Sequence, residues 1–325
     1  MMLPIIQNRR WYYVFSVTCL VVAIGALGLW GLKLGIDFTG GSLMEVNFVQ
    51  IDRPAAAAVQ AILQGQMPEL GDVTIQPIGE TAMALRLKDL SEEQHQQLLA
   101  LLQATYPAAT ADSNIEIQPD GSAALVVGPV TGVVEQRFDS IGPTVGQELR
   151  TKSLLAIVVV MIGIICYIAW TFRKVGRPVA SWKYGVIAVI ALLHDVAITI
   201  GVFAVLGHFL GVEINTPFVA AILTILGYSV HDTIVVFDRV RENLHRYQGS
   251  FEDTVNRSLN ETFIRSLNTS LTVLLTLTAI YFFGGESIKY FALTLIVGVF
   301  FGTYSSIFTA SPLLVTWQKL TARFS

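Results

Sequence analysis

Asp232 and Arg265 are two charged residues whose neighbours make their charge expensive. Asp232 lies inside the apolar run Thr216–Phe237, within Gly-Tyr-Ser-Val-His-Asp-Thr-Ile-Val-Val-Phe-Asp-Arg-Val-Arg-Glu-Asn at residues 227–243. A carboxylate at the centre of a membrane helix costs about 2.5–3.5 kcal/mol on insertion scales, so its presence marks a functional site with a partner. Arg265 opens the next apolar segment and heads the series Arg265, Thr269, Thr272, Thr276. That spacing puts all four on one helical face. The two charges predict either a fixed salt bridge or an acid–base pair that a proton opens and closes. Arg suits the second role because it stays charged at any working pH. Thr224, Tyr228 and Ser229 flank the acid, and hydroxyls so placed can relay protons or hold water around a carboxylate.

Other residues offer related chemistry. His194-Asp195 sits in the middle of a third apolar run with Thr199 one turn on, which reads as a proton pathway or as a local packing pair. His231 adjoins Asp232 but points about 100° away along a helix, so it is a packing residue or a proton carrier. Asp238, Arg239, Arg241, Glu242 and Asn243 crowd the polar exit of the Asp232 segment, as a solvated interfacial face, a docking surface or a charge lock. Gly298, Gly302 and Ser306 place small residues at every fourth position and predict close helix packing. Gly35-Ile36-Asp37-Phe38-Thr39-Gly40-Gly41 forms a hinge or an ordinary turn between an apolar helix and a polar segment.

The elements that position these groups follow from composition. The chain has 325 residues, 53% hydrophobic and only 14% charged. Soluble domains carry about 25% charge, so this is an integral membrane protein. A net charge of −3 without a basic patch excludes nucleic acid as a partner. Cys19 and Cys166 fall in apolar runs and build neither a disulfide framework nor a metal site. No phosphate-binding glycine loop, zinc motif or nucleophile elbow is present, so enzyme chemistry and cofactors are not expected; protons are the expected coupling ion.

Residues 1–10 precede a first span at 11–32, too long an apolar stretch for a signal peptide despite the small residues Ala26-Leu27-Gly28. Residues 33–150 are the one long polar segment. Leu43–Val49, Val73–Ile78, Met83–Leu87 and Ala123–Val127 predict strands, with Asn114–Gln118 as an optional fifth. Asp52 is expected to cap a helix over Pro54–Met67, and a Ser91/Gln94 capping box a second helix to Tyr106. The order βαββαβ predicts an α+β, ferredoxin-like domain of about 115 residues, long enough for its own core. Further spans are expected at 153–172, 184–210, 216–238, 265–283 and 290–316. An amphipathic connection at 239–264 and a tail at 317–325 complete the reading. The fold class is thus a six-helix membrane protein with one α+β domain inserted between helices 1 and 2. Lys and Arg (Arg173, Lys174, Arg177 and Lys183 in the second–third loop) gather on one side, which predicts cytoplasmic termini and an external 33–150 domain.

Several of these motifs carry a resemblance. Gly-Ile-Asp-Phe-Thr-Gly-Gly after the first span, the 227–243 stretch and Arg-Ser-Leu-Asn-Thr-Ser at 265–270 resemble the SecD/SecF family of bacterial protein-export membrane subunits. Ala191-Leu192-Leu193-His194-Asp195-Val196 and Phe283-Gly284-Gly285 fit as well, and the family is itself related to the RND transporters. The resemblance implies a six-helix RND-like half bundle in the bacterial inner membrane and a SecD partner that supplies six more spans and a further Asp. It also implies association with the SecYEG channel, with YajC and YidC as further neighbours, and an external domain that meets unfolded secretory polypeptide. Proton flow would drive export after the ATP-driven motor has acted, with Asp232 and Arg265 as the intramembrane acid and arginine. Where the family commonly has Asn before the acid, this chain has His231. Two rivals remain at this point: an RND-type exporter of small molecules or lipids, and a scaffold without proton chemistry.

Overall fold

The computed structural model describes residues 2–107, 115–117, 123–125, 132–173 and 180–324. In chain order the elements are α1 (Arg9–Trp30), α2 (Ile36–Thr39), β1 (Gly41–Val49), α3 (Ala56–Gln66), β2 (Thr74–Ile78), β3 (Ala82–Leu87), α4 (Glu92–Thr105), β4 (Ile115–Ile117), β5 (Ala123–Leu125) and β6 (Gly132–Ile141). They continue as α5 (Pro143–Thr171), α6 (Ser181–Leu210), α7 (Thr216–Arg246), α8 (Phe251–Phe283), α9 (Glu286–Ser305), a π-turn (Ser306–Ala310) and α10 (Ser311–Phe324). They fall into two compact units, Met1–Leu34 with Thr151–Ser325, and Gly35–Arg150.

The helical unit supplies six stretches long and apolar enough to cross a membrane: α1, α5, α6, α7, α8, and Ser287–Thr321 across α9, the π-turn and α10. Asn215 starts α7 by accepting the Phe218 N–H, with Pro217 in the first turn where its missing donor costs nothing. The connection expected at 239–264 is not a separate surface helix. Helix α7 runs on to Arg246, and α8 restarts at Phe251, where the Ser250 hydroxyl accepts the Asp253 N–H. The polar residues that suggested a loop lie on the ends of two long helices, because nothing between Asp238 and Arg246 breaks a helix. Gly249 and Ser250 do. Lys174 and Arg177 of the expected basic loop lie outside the described residues.

Glycines set the closest helix crossings. A Cβ on Gly201 of α6 would sit 2.3 Å from the Ala23 Cβ of α1. A Cβ on Gly298 of α9 would sit 2.1 Å from Ile225 Cδ1 of α7, and one on Gly302 would sit 3.1 Å from the Ser229 Cβ. The small-residue spacing expected to allow close packing does so between α7 and α9. Helix α5 buries chiefly its last turns, where Phe172 stacks on Tyr184 and meets Phe237 edge-on.

The second unit is an antiparallel sheet in the order β2-β3-β1-β6, which is the ferredoxin-like arrangement. Met44, Val46, Phe48, Met83 and Leu85 alternate onto one face and pack with Val59 and Leu63 of α3 and Leu98 and Leu102 of α4. The capping box forms as expected, with Ser91 Oγ accepting the Gln94 N–H and the Gln94 side chain accepting the Ser91 N–H. Two expectations change. Asp52 does not cap α3, whose N-cap is Ala55. The strand closing the sheet is β6, whereas Ala123–Leu125 pairs with Ile115–Ile117 in a hairpin of its own; Val126 and Val127, expected to continue that strand, lie outside the described residues. Strand β6 hides from a pattern reading because Glu135, Gln136 and Arg137 interrupt its alternation beside a bulge at Glu45/Val46.

Candidate functional site

Helices α6, α7, α8 and α9 enclose a polar core in which two carboxylates are treated differently. Asp195 on α6 is fully enclosed. His194 Nδ1 lies 2.9 Å from Oδ1, while Ser229 of α7 and Ser305 of α9 donate to Oδ2 at 2.5 and 2.7 Å. Two hydroxyl donors on one oxygen and an imidazole nitrogen on the other suit a carboxylate anion, with the His194 proton then on Nδ1. The Nε2 of His194 is buried with no hydrogen-bond partner among the described residues. Around Ser229, Thr233 Oγ1 donates to its carbonyl at 3.2 Å and lies 2.8 Å from Ser306 Oγ.

Asp232 has a poorer set of partners. It is 5% exposed, one turn along α7 from Ser229. Ser266 Oγ of α8 donates to its Oδ1 at a long 3.4 Å, and its Oδ2 has no partner among the described residues. Beside it runs a file of hydroxyls, with Tyr228 OH 3.0 Å from Ser270 Oγ and Ser270 Oγ 2.5 Å from Thr303 Oγ1. That file links α7, α8 and α9.

The direct bridge between Asp232 and Arg265 does not form. Arg265 is exposed and makes no ion pair among the described residues; Ser266, one residue on, faces the acid. Equal depth placed the two charges level, but consecutive helical residues point about 100° apart, and the pair differs in azimuth. Thr269, Thr272 and Thr276 share the exposed face with Arg265 and donate to carbonyls of their own helix. His231 and Thr224 are also exposed, so they do not line the core. Ser229, expected beside Asp232, serves Asp195.

From sequence, Ser266 and Ser270 enter only as part of the 265–270 motif, Ser306 only as a packing residue, and Thr303 and Ser305 not at all. Their signal was a hydroxyl repeated one turn apart within apolar helices: Ser266 with Ser270, and Thr303 with Ser306. The last of these opens the π-turn, where Ser311 Oγ donates back to the Ser306 carbonyl at 3.1 Å. Such wide turns recur at functional sites because they re-aim side chains without breaking the helix.

At the α7–α8 end the charged cluster closes on itself. Arg241 pairs with Asp238 at 2.7 Å, and Arg239 with Glu242 and Glu261 at 2.5 and 2.7 Å. Asn243 is buried and donates to Ser258 Oγ and Glu261. Arg239 and Asn243 reach across to α8, while Asp238 and Arg241 pair on α7 itself with their side chains 57% and 41% exposed, so the cluster combines a tie between two helix ends with a solvated face. The N-terminal segment joins it, for Leu3 and Ile6 donate backbone N–H groups to Asn260 and Asn256, and Arg9 pairs with Glu252 at 2.6 Å.

The Gly35–Gly41 stretch forms a packed corner within the α+β unit. Asp37 lies in the single turn of α2 after the extended Gly35; Gly40 and Gly41 then take φ of 72° and 114°. A Cβ on Gly40 would meet Pro143 Cα at 2.7 Å, and one on Gly41 the Leu87 carbonyl oxygen at 2.7 Å. The glycines are there for close approach and positive φ rather than for looseness.

Comparisons with known proteins point the same way. The C-terminal family of SecD/SecF protein export membrane proteins matches residues 125–320, and the SecD/SecF GG motif matches residues 31–50. The chain is 42% identical to a protein translocase subunit SecF of Thermobaculum terrenum over 98% of its own length and 95% of the relative's. A crystal structure of SecDF from Thermus thermophilus, described as a translocon-associated membrane protein, superposes with a TM-score of 0.76 at 30% identity over 98% of this chain. A second SecDF structure, in a super-membrane-facing form, gives 0.64 at 30% identity over 99% of this chain. The chain spans about two fifths of those longer SecDF chains, 39% and 40%. With its six membrane-crossing helices, its inserted ferredoxin-like unit and these matches along its length, the chain belongs to the SecD/SecF family of protein-export membrane proteins.

Proposed function

We propose that the protein is a subunit of the bacterial Sec translocase in the cytoplasmic membrane, where it joins a SecD partner and uses the proton motive force late in protein export. Proton entry at Asp232 drives a rearrangement that reaches the 33–150 domain on the outer face, beside the SecYEG channel and within reach of YajC and YidC. The observation that carries this reading is the contrast between the two buried acids. Asp195 has all its partners within the chain and holds α6, α7 and α9 together as an anion. Asp232 has one long hydrogen bond and a bare oxygen, so its charge is left for a proton or a partner to settle.

Roles follow from place. Asp232 takes the proton, with Ser266, Thr303, Ser270 and Tyr228 as the hydroxyl path around it. Asp195, His194 and Ser229 stand beside that path as the fixed charged tie of the bundle. Arg265 and Thr269 lie on an outward face, positioned to meet an acid supplied by SecD when the two bundles join. Membership in a family whose solved relatives carry both halves in one chain supports that partnership. The excess of Lys and Arg at one end supports cytoplasmic termini.

A charge crossing ~150 mV supplies about 3.5 kcal/mol, enough to shift a two-state equilibrium several-hundredfold. One such step suffices for a domain swing and is modest for dragging a chain, so several cycles per exported protein are expected. The test is export of a secretory protein into inverted membrane vesicles after ATP is exhausted, with and without a proton gradient. Wild type completes export only with the gradient, and Asp232→Asn does not complete it. Equal response of both proteins contradicts the reading and leaves Asp232 as a structural residue of a scaffold.

A further inference from the structure

At the end of the bundle where α6 begins and α10 finishes, an apolar groove lies against two tryptophans and a lysine. Leu313, Thr316, Trp317, Leu320 and Thr321 line a space of about 460 Å³ along α10. Trp182, exposed at the first turn of α6, meets Trp317 edge-to-face at 5.3 Å. Lys183 extends over both rings, 5.9 and 5.7 Å from their centroids, and its Nζ donates to Thr321 Oγ1 at 2.8 Å. No carboxylate pairs with Lys183 among the described residues, in contrast to Lys319 on the same helix, which pairs with Glu252. On the other flank, Tyr13 of α1 lies 2.8 Å from Thr316 Oγ1.

From this geometry we propose that the groove binds one anionic phospholipid. Its phosphate meets the Lys183 ammonium, which Thr321 Oγ1 holds in place while donating its own hydrogen to the Trp317 carbonyl, and its acyl chain lies along Leu313, Trp317 and Leu320. The charge argument selects the occupant. An unpaired cation held at the rim of a membrane-facing apolar groove complements a headgroup of net negative charge, and a zwitterionic headgroup offers it much less. Tryptophan and lysine at a helix end suit the headgroup level, since each has an apolar body and a polar tip. A peptide partner would find one helical turn of contact and a single charge, too little to hold it. The site serves anchoring, and it is independent of the proton chemistry at Asp232.

The test uses the full chain with its SecD partner in nanodiscs of defined mixtures of phosphatidylglycerol and phosphatidylcholine, with retained lipid counted by native mass spectrometry after release. Wild type retains one phosphatidylglycerol in preference to phosphatidylcholine. Lys183→Ala lowers that preference about fivefold, the worth of one lysine beside an anionic headgroup. Trp317→Ala lowers retention of both lipids. Arg246→Ala, which removes a paired arginine at the α7 end, leaves the preference unchanged and controls for lost charge. Equal retention of the two lipids by wild type, or an unaltered preference in Lys183→Ala, overturns the proposal. Crosslinks from this groove to SecD in place of lipid overturn it as well. Asp232→Asn is expected to retain lipid as wild type does, so failure of the lipid site and failure of the proton reading are separable.

Discussion

Gly298→Ala drives a methyl group into the crossing of α7 and α9. The added Cβ would lie 2.1, 2.3 and 2.8 Å from three side-chain carbons of Ile225, which is itself fully enclosed. Ordinary carbon contacts need about 3.5–4.0 Å. The helices must therefore separate by more than an ångström, or Ile225 must leave its rotamer with no free volume to enter. Overpacking of this kind costs about 1–3 kcal/mol. The consequence reaches the site, because the same crossing carries Ser229 and Ser305 to Asp195. Gly302→Ala, whose Cβ would lie 3.1 Å from that of Ser229, needs only a few tenths of an ångström of yielding. It should cost less than Gly298→Ala. Thermal unfolding of the purified chain with its partner, followed by tryptophan fluorescence, should rank wild type and Gly302→Ala well above Gly298→Ala. Ile225→Ala should restore part of the loss in the Gly298→Ala background, although alone it opens a cavity and destabilises. A Gly298→Ala protein as stable as wild type, or a double variant no better than additive, refutes the packing argument.

Other outcomes follow from the same geometry. Asp195→Asn can keep both serine hydroxyls on its carbonyl oxygen but turns an amide N–H toward the Nδ1–H of His194; about 2–3 kcal/mol of stability should be lost. Ser305→Ala should then cost less in the Asp195→Asn background than in wild type, measured as a double-mutant cycle of denaturation midpoints. Gly41→Ala puts a methyl group 2.7 Å from the Leu87 carbonyl oxygen at a φ of 114°. It should loosen β1 against β3 in hydrogen exchange while leaving the helical unit protected. Arg239→Ala removes the partner of Glu242 and Glu261 and should speed exchange at the ends of α7 and α8, by about 1 kcal/mol or less because the pairs are part exposed.

What could be read from the sequence was what local chemistry decides. Six apolar stretches longer than a bilayer's thickness can only be spans, and the Ser91/Gln94 box names a helix start within four residues. Asp232 and Asp195 stood out because their cost depends on the hydrophobicity of their own segments. The rest depends on azimuth and pairing, which no single segment encodes. Arg265 matched Asp232 in depth, yet the helix turns it outward and brings Ser266 to the acid. Ser305 and Ser306 look like small packing residues until the crossings of α9 bring them to Asp195 of α6 and Thr233 of α7. Strand β6 was missed because Glu135, Gln136 and Arg137 interrupt its alternation where the bulge shifts its register against β1. The charges after Asp238 passed for a loop because charge density marks solvent and says nothing about whether the backbone remains helical.

In the proposed mechanism Asp232 takes the proton while Asp195 stays an anion. Infrared difference spectra of the chain with SecD in membranes, recorded on lowering the pH, read carboxyl protonation directly. A C=O stretching band of a protonated carboxyl group is expected that vanishes in Asp232→Asn and persists in Asp195→Asn. A band that survives in Asp232→Asn and vanishes in Asp195→Asn would contradict this mechanism.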